Sequence, residues 1–143
     1  MLIRKMTEKD VPQVAALEAA SFSMPWSANA FYEQLEKSNS IYMVAEKDDR
    51  VIGVSGVIES YGEGDICNVS VAEAFRGRGV ATMLLKNLME EGEKRGIRAY
   101  TLEVRAGNAA AIHLYEKLGF MKEGLRRGFY ERPREDAVIM WKR

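Results

Sequence analysis

A glycine-rich turn in the middle of the chain has the composition of an anion-binding site. The turn reads Arg76, Gly77, Arg78, Gly79, Val80, Ala81. It lies between a predicted strand and a predicted helix, and the first amides of a helix lack partners inside the helix and attract negative charge. Because Gly77 and Gly79 have no Cβ atom, the backbone there can approach a phosphate group closely. The turn therefore predicts a phosphate site, with Arg76 and Arg78 adding positive charge at its rim.

The same turn has a plainer interpretation, since glycine-bearing turns with solvated arginines often precede helices. The motif alone leaves both interpretations open. Two better-known phosphate motifs fit less well: a P-loop requires Gly-Lys followed by Ser or Thr, and the dinucleotide fingerprint requires a third glycine where Thr82 stands. A triphosphate or a dinucleotide is therefore disfavoured as the ligand.

The elements around the turn predict one α/β domain over residues 1–143, with a mixed sheet covered by helices on both faces. Apolar or alternating runs predict seven strands, at 2–6, 41–45, 51–58, 65–71, 100–104, from 120 onward and at 136–141. Helical spacing predicts four helices, one after Thr7, one from Ser27 to about Lys37, one over about 79–95 and one over about 108–117. The passage from residue 65 to residue 104 implies a parallel crossover at the centre of the sheet, where ligands tend to bind.

The first helix has a simple predicted orientation. Apolar residues recur at helical spacing and form its inner face: Val11, Val14, Leu17 and Ala20. Gln13 and Glu18 are expected to face outward.

Composition narrows the class of protein. Lys plus Arg and Asp plus Glu each number 21, so no overall positive field is available to hold nucleic acid or an anionic membrane. No apolar run approaches the ~20 residues that span a bilayer, and the N-terminus resembles neither a secretory nor a transit signal, so we expect a cytoplasmic protein. With one Cys and one His, the chain has no disulfide and no Cys/His metal cluster, and Cys67 is expected to be buried.

The turn and its surroundings resemble the GNAT family of N-acetyltransferases. Residues 76–81 are similar to the family's pyrophosphate signature, and the preceding segment is similar to the strand used for the pantetheine arm of coenzyme A: Asn68, Val69, Ser70 and Val71. Residues 102–120 and the Pro25, Trp26, Ser27 segment resemble the RimI subfamily, so the resemblance spans nearly the whole chain. It implies the GNAT fold, with a mostly antiparallel seven-stranded sheet and a central parallel pair. It also implies acetyl-CoA as donor, no metal, and as acceptor the N-terminal alanine of small-subunit ribosomal protein number eighteen.

The resemblance implies a catalytic pair, Glu103 and Tyr115, and each has a physical rationale. Glu103 lies in a strand otherwise built for burial, and partial desolvation would raise its pKa toward that of a useful base. Tyr115 lies two turns beyond Asn108, so its hydroxyl can reach a departing thiolate. From the strand alone, a salt-bridged or solvent-facing glutamate is the favoured alternative, and Tyr115 can equally be a packing residue beside Ile112 and Leu118.

Other residues are assigned to the two substrates. The cofactor set implied by the resemblance is Val69, Ser70, Val71, Arg76, Gly77, Arg78, Gly79, Val80, Ala81, Thr82, Asn108 and Tyr115. Asn108 also suits a helix N-cap, and amides near Val69 to Val71 are expected to hold the oxyanion where the strand bulges. Trp26, Phe129 and Tyr130 are expected at the acceptor, although a tryptophan between helices is as often core. Gly128 and Phe129 depart from the Asn and Tyr common in related enzymes, which puts the acceptor in doubt.

Three rival functions remain open at this stage. The first is acetylation of another amine, such as a lysine, a polyamine or an antibiotic. The second is a non-catalytic acyl-CoA-binding module, against which the presence of both Glu103 and Tyr115 argues. The third is RNA contact through the arginines of residues 126–134, although interspersed acids make a solvated face the better interpretation. A monomer is slightly favoured, and His113 is expected at the surface.

Overall fold

The computed structural model describes residues 1–143 and has the predicted order of strands and helices. The elements are β1 (Leu2–Lys5), α1 (Val11–Ser21), α2 (Ala28–Leu35), β2 (Ser40–Lys47), β3 (Arg50–Ser60), β4 (Glu63–Val71), α3 (Val80–Lys94), β5 (Ala99–Arg105), α4 (Ala109–Lys117), β6 (Met121–Tyr130) and β7 (Glu135–Lys142). Two 3-10 turns, Glu8–Asp10 and Glu73–Phe75, precede α1 and follow β4.

All seven strands form one sheet in the order β1-β2-β3-β4-β5-β7-β6. Every neighbouring pair is antiparallel except β4 and β5, which are parallel. The prediction of a mixed, mostly antiparallel sheet with a central parallel pair is therefore confirmed. The α3 crossover joins the two parallel strands, as a parallel connection requires.

Local sequence explains where the elements start and stop. Asp48 and Asp49 form the two-residue turn between β2 and β3, with φ of 52° and 63°, in the left-handed region that Asp tolerates and tight hairpins require. The Ser27 side chain accepts a hydrogen bond from the Ala30 amide at 3.2 Å and so caps α2. Gly96, with φ of 89°, follows the end of α3, where a glycine permits the chain to turn back.

The two faces of the sheet carry separate hydrophobic cores. On one face α3 and α4 pack through fully buried leucines, Leu84, Leu85 and Leu88, and through Ile112 of α4. On the other face α1 and α2 pack through Val11, Val14 and Phe31. Burying one such side chain stabilises the fold by about 1.5–3 kcal/mol. The helices on both faces therefore stabilise the sheet.

The parallel strands separate soon after they begin to pair. Glu63 to Asp65 of β4 pair with Ala99 to Thr101 of β5, and no pairing continues beyond them. The C-terminal part of β4 therefore has hydrogen-bonded neighbours on the β3 side only. A gap opens between β4 and β5 that ends at the turn before α3.

Candidate active site

The turn before α3 leaves a run of backbone N–H groups without acceptors. Arg76 donates its amide to Glu73 O at 3.2 Å, and the next amide bonded within the protein is that of Met83, to Gly79 O at 3.1 Å. Gly77 and Gly79 have φ of 75° and 79°, and a Cβ atom added at either would meet no atom within 4 Å. The amides of residues 77–82 thus surround open space at the positive end of α3, an arrangement suited to a phosphate.

The two arginines of this turn have different surroundings. Arg76 folds back toward β4, and its Nε donates to Val71 O at 3.0 Å. Arg78 is exposed and lies over the Phe75 ring, 5.7 Å from the centroid. Both arginines are exposed, but the Arg76 side chain is tied to the end of β4, whereas Arg78 forms no hydrogen bond within the protein.

Two amides of β4 face the gap. Ala72 donates its amide to Ile52 O of β3 at 2.8 Å. Because successive amides along a strand point to opposite sides, the N–H groups of Val71 and Val69 point away from β3. They face the side on which β5 has diverged, so they have no strand partner.

The expected strand bulge exists, but at a different residue. In the β3–β4 register Gly56 is opposite Asn68 and Val57 is opposite Ile66, so Cys67 is the extra residue. The Val69 and Val71 amides are free because β5 diverges, and not because the bulge lies beside them. The bulge has another effect: Cys67 and Asn68 both lie on the α1 side of the sheet, while Val69 packs on the opposite core.

Glu103 lies on the open face of β5. Its carboxylate accepts a hydrogen bond from Arg126 Nη1 at 3.2 Å, and its side chain is 27% exposed. The salt-bridged alternative therefore describes its geometry in the ligand-free chain. Arg126 is itself 57% exposed, so the pair lies at the protein surface, where an ion pair contributes little to stability.

Tyr115 lies deeper than Glu103. The residue is 8% exposed, and its ring meets Phe120 edge-on at 5.9 Å between centroids, as the packing interpretation predicted. Burial, and secondly the charge of Tyr130, raise the pKa of Tyr115 to about 12. Burial, and secondly Glu103, raise the pKa of Tyr130 to about 12 as well. Tyr130 therefore lies within electrostatic range of both Tyr115 and Glu103.

Asn108 caps α4, as expected. Its Oδ1 accepts a hydrogen bond from the Ala111 amide at 3.1 Å, while no protein acceptor lies within bonding distance of its Nδ2 group. The residue is exposed, so that donor is available to a ligand. His113 is exposed, as predicted.

The predicted acceptor residues divide between two places. Phe129 is 45% exposed and meets Tyr130 edge-on at 5.0 Å. Trp26 is half-buried and packs against Phe31 and Tyr42, at 5.4 Å and 6.3 Å between centroids. Core packing thus accounts for the Trp26 ring, whereas Phe129 is accessible.

Arg105, at the end of β5, is a site residue that the sequence did not single out. Its guanidinium lies 4.5 Å from the centre of the Tyr130 ring. It also donates to the loop between β6 and β7 and to the α1–α2 connection, at Pro133 O (2.9 Å), Glu131 O (3.1 Å), Glu135 Oε1 (3.2 Å) and Ser23 Oγ (3.4 Å). Arg105 therefore fastens the two segments that carry the predicted acceptor residues.

Glu18 was predicted to face outward, and this prediction is wrong. The residue is 3% exposed, and its carboxylate accepts hydrogen bonds from Asn68 Nδ2 at 3.2 Å and Ser70 Oγ at 3.3 Å. Burial raises its pKa. The signal was present in the spacing, because Val11, Val14 and Glu18 recur at three and four residues on one stripe of α1.

Cys67 was predicted to be buried, and it is exposed. Its Sγ nevertheless lies among protein atoms and donates to Asp65 O at 3.5 Å. Burial, and secondly the charge of Asp65, raise the pKa of the Cys67 thiol to about 12. Glu103 adds to this effect, so Cys67 lies within electrostatic range of Glu103.

Two findings concern other ligands. No group of three or more His, Cys, Asp or Glu side chains is placed to hold a metal ion. None of the four helices combines the length and the apolar composition that crossing a bilayer requires.

Comparison of the chain with known protein families agrees with the fold and with the free amides before α3. The acetyltransferase (GNAT) family model matches residues 11–120. The chain belongs to this family, and the class of enzyme is an acyltransferase, as the sequence resemblance predicted. Its relatives narrow the class further.

The relatives are ribosomal-protein alanine acetyltransferases. The chain is 37% identical to the [ribosomal protein bS18]-alanine N-acetyltransferase of Salmonella typhimurium, over 94% of this chain and 92% of the relative. It matches the crystal structure of the ribosomal-protein-S18-alanine N-acetyltransferase from Escherichia coli with a TM-score of 0.90 and 31% identity, covering 99% of this chain and 92% of that one. The ribosomal-protein-alanine N-acetyltransferase of Brucella melitensis matches with a TM-score of 0.88 and 27% identity, covering 99% of both chains.

Proposed function

We propose that this chain transfers the acetyl group of acetyl-CoA to the N-terminal α-amino group of a protein, and that the acceptor is the N-terminal alanine of ribosomal protein bS18. The observation that carries the proposal is the run of free amides over residues 77–82, beside the gap between β4 and β5. The relative from Salmonella typhimurium, similar over nearly its whole length, supports the choice of acceptor. The activity belongs in the cytoplasm, where ribosomal proteins are made.

Acetyl-CoA supplies a thioester-activated acetyl group, and the residues present fit its parts. The amides of Gly77 to Thr82 bind its diphosphate, because they are unpaired and lie at the positive end of α3. The pantetheine arm runs along the gap beside Val69, Ser70 and Val71. Asn108 Nδ2 is free to donate to the same arm.

The Val69 and Val71 amides hold the negative charge that develops on the acetyl oxygen. They point into the gap and are fixed by the strand, so little reorganisation is needed when the charge appears. Removing one such donor in other enzymes costs about 10² to 10³ in kcat.

Glu103 accepts the proton of the incoming amine, directly or through a water molecule. An α-amino group has a reference pKa of about 7.7–8.0 and a lysine about 10.4, so deprotonating lysine near neutrality costs about 3 kcal/mol more. A carboxylate base therefore suits a protein N-terminus better than a lysine. Arg126 orients the Glu103 carboxylate at the edge of the groove.

Tyr115 returns a proton to the departing thiolate. With a pKa raised to about 12, its phenol remains protonated at neutral pH. Transfer to a thiolate whose thiol has the reference pKa of about 8.5 would be strongly uphill. Burial of the departing sulfur between β4 and β5 would raise the pKa of its thiol, as burial raises the pKa of the Tyr115 phenol, and so bring the two values closer together.

The acceptor enters between the α1–α2 connection and the loop after β6. Phe129 and Tyr130 provide its aromatic wall on one side, and the segment around Trp26 lies on the other. Arg105 holds both sides through Ser23 and the loop carbonyl groups. Gly128 has φ of 60°, a left-handed conformation that glycine and asparagine both adopt, and a Cβ added there would lie 2.7 Å from the Arg134 guanidinium.

The proposal is tested by turnover of acetyl-CoA with three peptides of related sequence. One begins with a free alanine, one has that alanine blocked and retains an internal lysine, and one has both amines free. We expect acetylation of the first and third peptides, with mass spectrometry locating the group on the N-terminal alanine. Equal rates on the blocked peptide would contradict the α-amine assignment. Coenzyme A binding without turnover of any peptide would indicate the non-catalytic alternative.

A further inference from the structure

A buried carboxylate lies directly beneath the strand that faces the gap. Glu18 of α1 takes part in no ion pair, and its hydrogen-bond partners are the Asn68 amide and the Ser70 hydroxyl, which both donate to Oε1. A buried carboxylate without a cation is unfavourable, and apolar replacement of such groups often stabilises a protein. Fold stability alone therefore does not account for an acid at this position.

The partners of Glu18 stand on either side of Val69. Asn68 follows the bulge at Cys67, and its amide is held at both ends: Nδ2 donates to Glu18, and Oδ1 accepts from the Tyr42 hydroxyl at 2.6 Å. The Tyr42 ring lies flat on Gly56, where an added Cβ would come within 2.1 Å of it. These contacts leave the strand little freedom to rotate between residues 68 and 70.

We propose that Glu18 is a positioning residue for acetyl transfer: by holding Asn68 and Ser70, it fixes the direction in which the Val69 and Val71 amides meet the acetyl oxygen. The inference rests on the proposed function, because it assumes that a thioester lies beside these amides.

The first test replaces Glu18 with leucine. The Asn68 amide and the Ser70 hydroxyl both donate to Glu18 Oε1, so leucine removes their shared acceptor, whereas glutamine would keep it. The strand can then shift while the diphosphate cradle at α3 stays intact, and we expect Glu18→Leu to lower kcat by roughly tenfold to a hundredfold, with the Kd for CoA changed less than about threefold. Tyr42→Phe, which removes only the hydrogen bond to Asn68, is expected to lower kcat to a smaller extent with the same unchanged Kd.

The second test restores the shared acceptor without the charge. In Glu18→Gln, the glutamine Oε1 can accept from Asn68 and Ser70 as the carboxylate does. We expect Glu18→Gln to retain most of the kcat that Glu18→Leu loses. A merely structural role predicts that Glu18→Leu lowers the melting temperature with kcat unchanged well below it. That result, or an equal loss of kcat in Glu18→Gln despite a restored melting temperature, would overturn the proposal.

A third measurement needs no acceptor peptide. In the ¹⁵N-labelled full chain, the Val69 and Val71 amide protons are expected to shift downfield more with acetyl-CoA than with CoA, and this difference should shrink in Glu18→Leu. No difference in the unmodified chain, or the same difference in the variant, would refute the positioning role. A clear difference in a chain that acetylates no peptide would instead refute the proposed function, while the effect of Glu18 on the direction of the two amides would stand. Should Glu18→Leu fail to fold, Tyr42→Phe provides the same kinetic and spectroscopic readouts.

Discussion

The substitution Gly79→Ala tests anion binding at the turn before α3 separately from the stability of that helix. Gly79 has φ of 79°, which costs an L-residue about 1–2 kcal/mol. For 143 residues the unfolding entropy is about 0.3 kcal/mol per kelvin, so the melting temperature should fall by roughly 3–7 °C. The added Cβ enters open space beside the amides that we propose to bind the diphosphate. We therefore expect CoA affinity, measured by calorimetry, to fall at least about tenfold, or about 1.4 kcal/mol.

The same helix provides a matched control at its other end. Gly96 has φ of 89°, and a Cβ added there also meets no atom within 4 Å. Gly96→Ala should therefore lower the melting temperature by a similar amount and leave CoA affinity within about twofold of the original. Equal losses of affinity in the two variants would refute the reasoning, because the effect would then come from strain in α3 and not from the cradle.

Three further predictions concern individual side chains. Glu103→Gln should lower kcat by about 10² or more while CoA affinity persists, because the base and the cradle are separate sites; parallel loss of both in kinetics and calorimetry would indicate a structural role. Alkylation of Cys67 at pH 8, followed by mass spectrometry, should be on the order of 10³-fold slower than that of a free thiol, because its pKa is about 12 and little thiolate forms; rapid modification would contradict this. The hydrogen bond from Arg4 holds the pKa of Asp10 below its usual value, so this contact stabilises the fold at neutral pH and is lost as pH falls through the folded pKa. Arg4→Ala should therefore reduce the free energy of unfolding by about 2–3 kcal/mol at pH 7 and by less in acid, and a loss that does not depend on pH would count against the pairing.

Much of the fold could be predicted because the local sequence signals agree with the strands and turns of the observed sheet. Strand alternation, the two-residue turn at Asp48 and the glycine after α3 each specify their element without help from distant residues. The free amides before α3 could be predicted in the same way, because the glycines of the turn and the start of the helix are adjacent in sequence. These features depend on short-range geometry, which composition and spacing reveal.

The features that escaped prediction depend on how distant segments meet. The position of the bulge at Cys67 is fixed by the register between β3 and β4, which spacing along one strand does not specify. Burial of Glu18 was missed because a charged residue on a helix is usually exposed, and its partners lie about 50 residues away. Arg105 was missed because its hydrogen-bond partners are also distant in sequence, and two of the four are backbone carbonyl groups of a loop.

The most direct test of the central claim uses the proposed acceptor itself. Purified bS18 with a free N-terminal alanine is incubated with the chain and acetyl-CoA, and the product is analysed by intact and fragment mass spectrometry. We predict a single acetyl group on the α-amine of the first residue. The Glu103→Gln variant should not form this product. An unmodified protein, or acetyl groups on lysine side chains, would contradict the account.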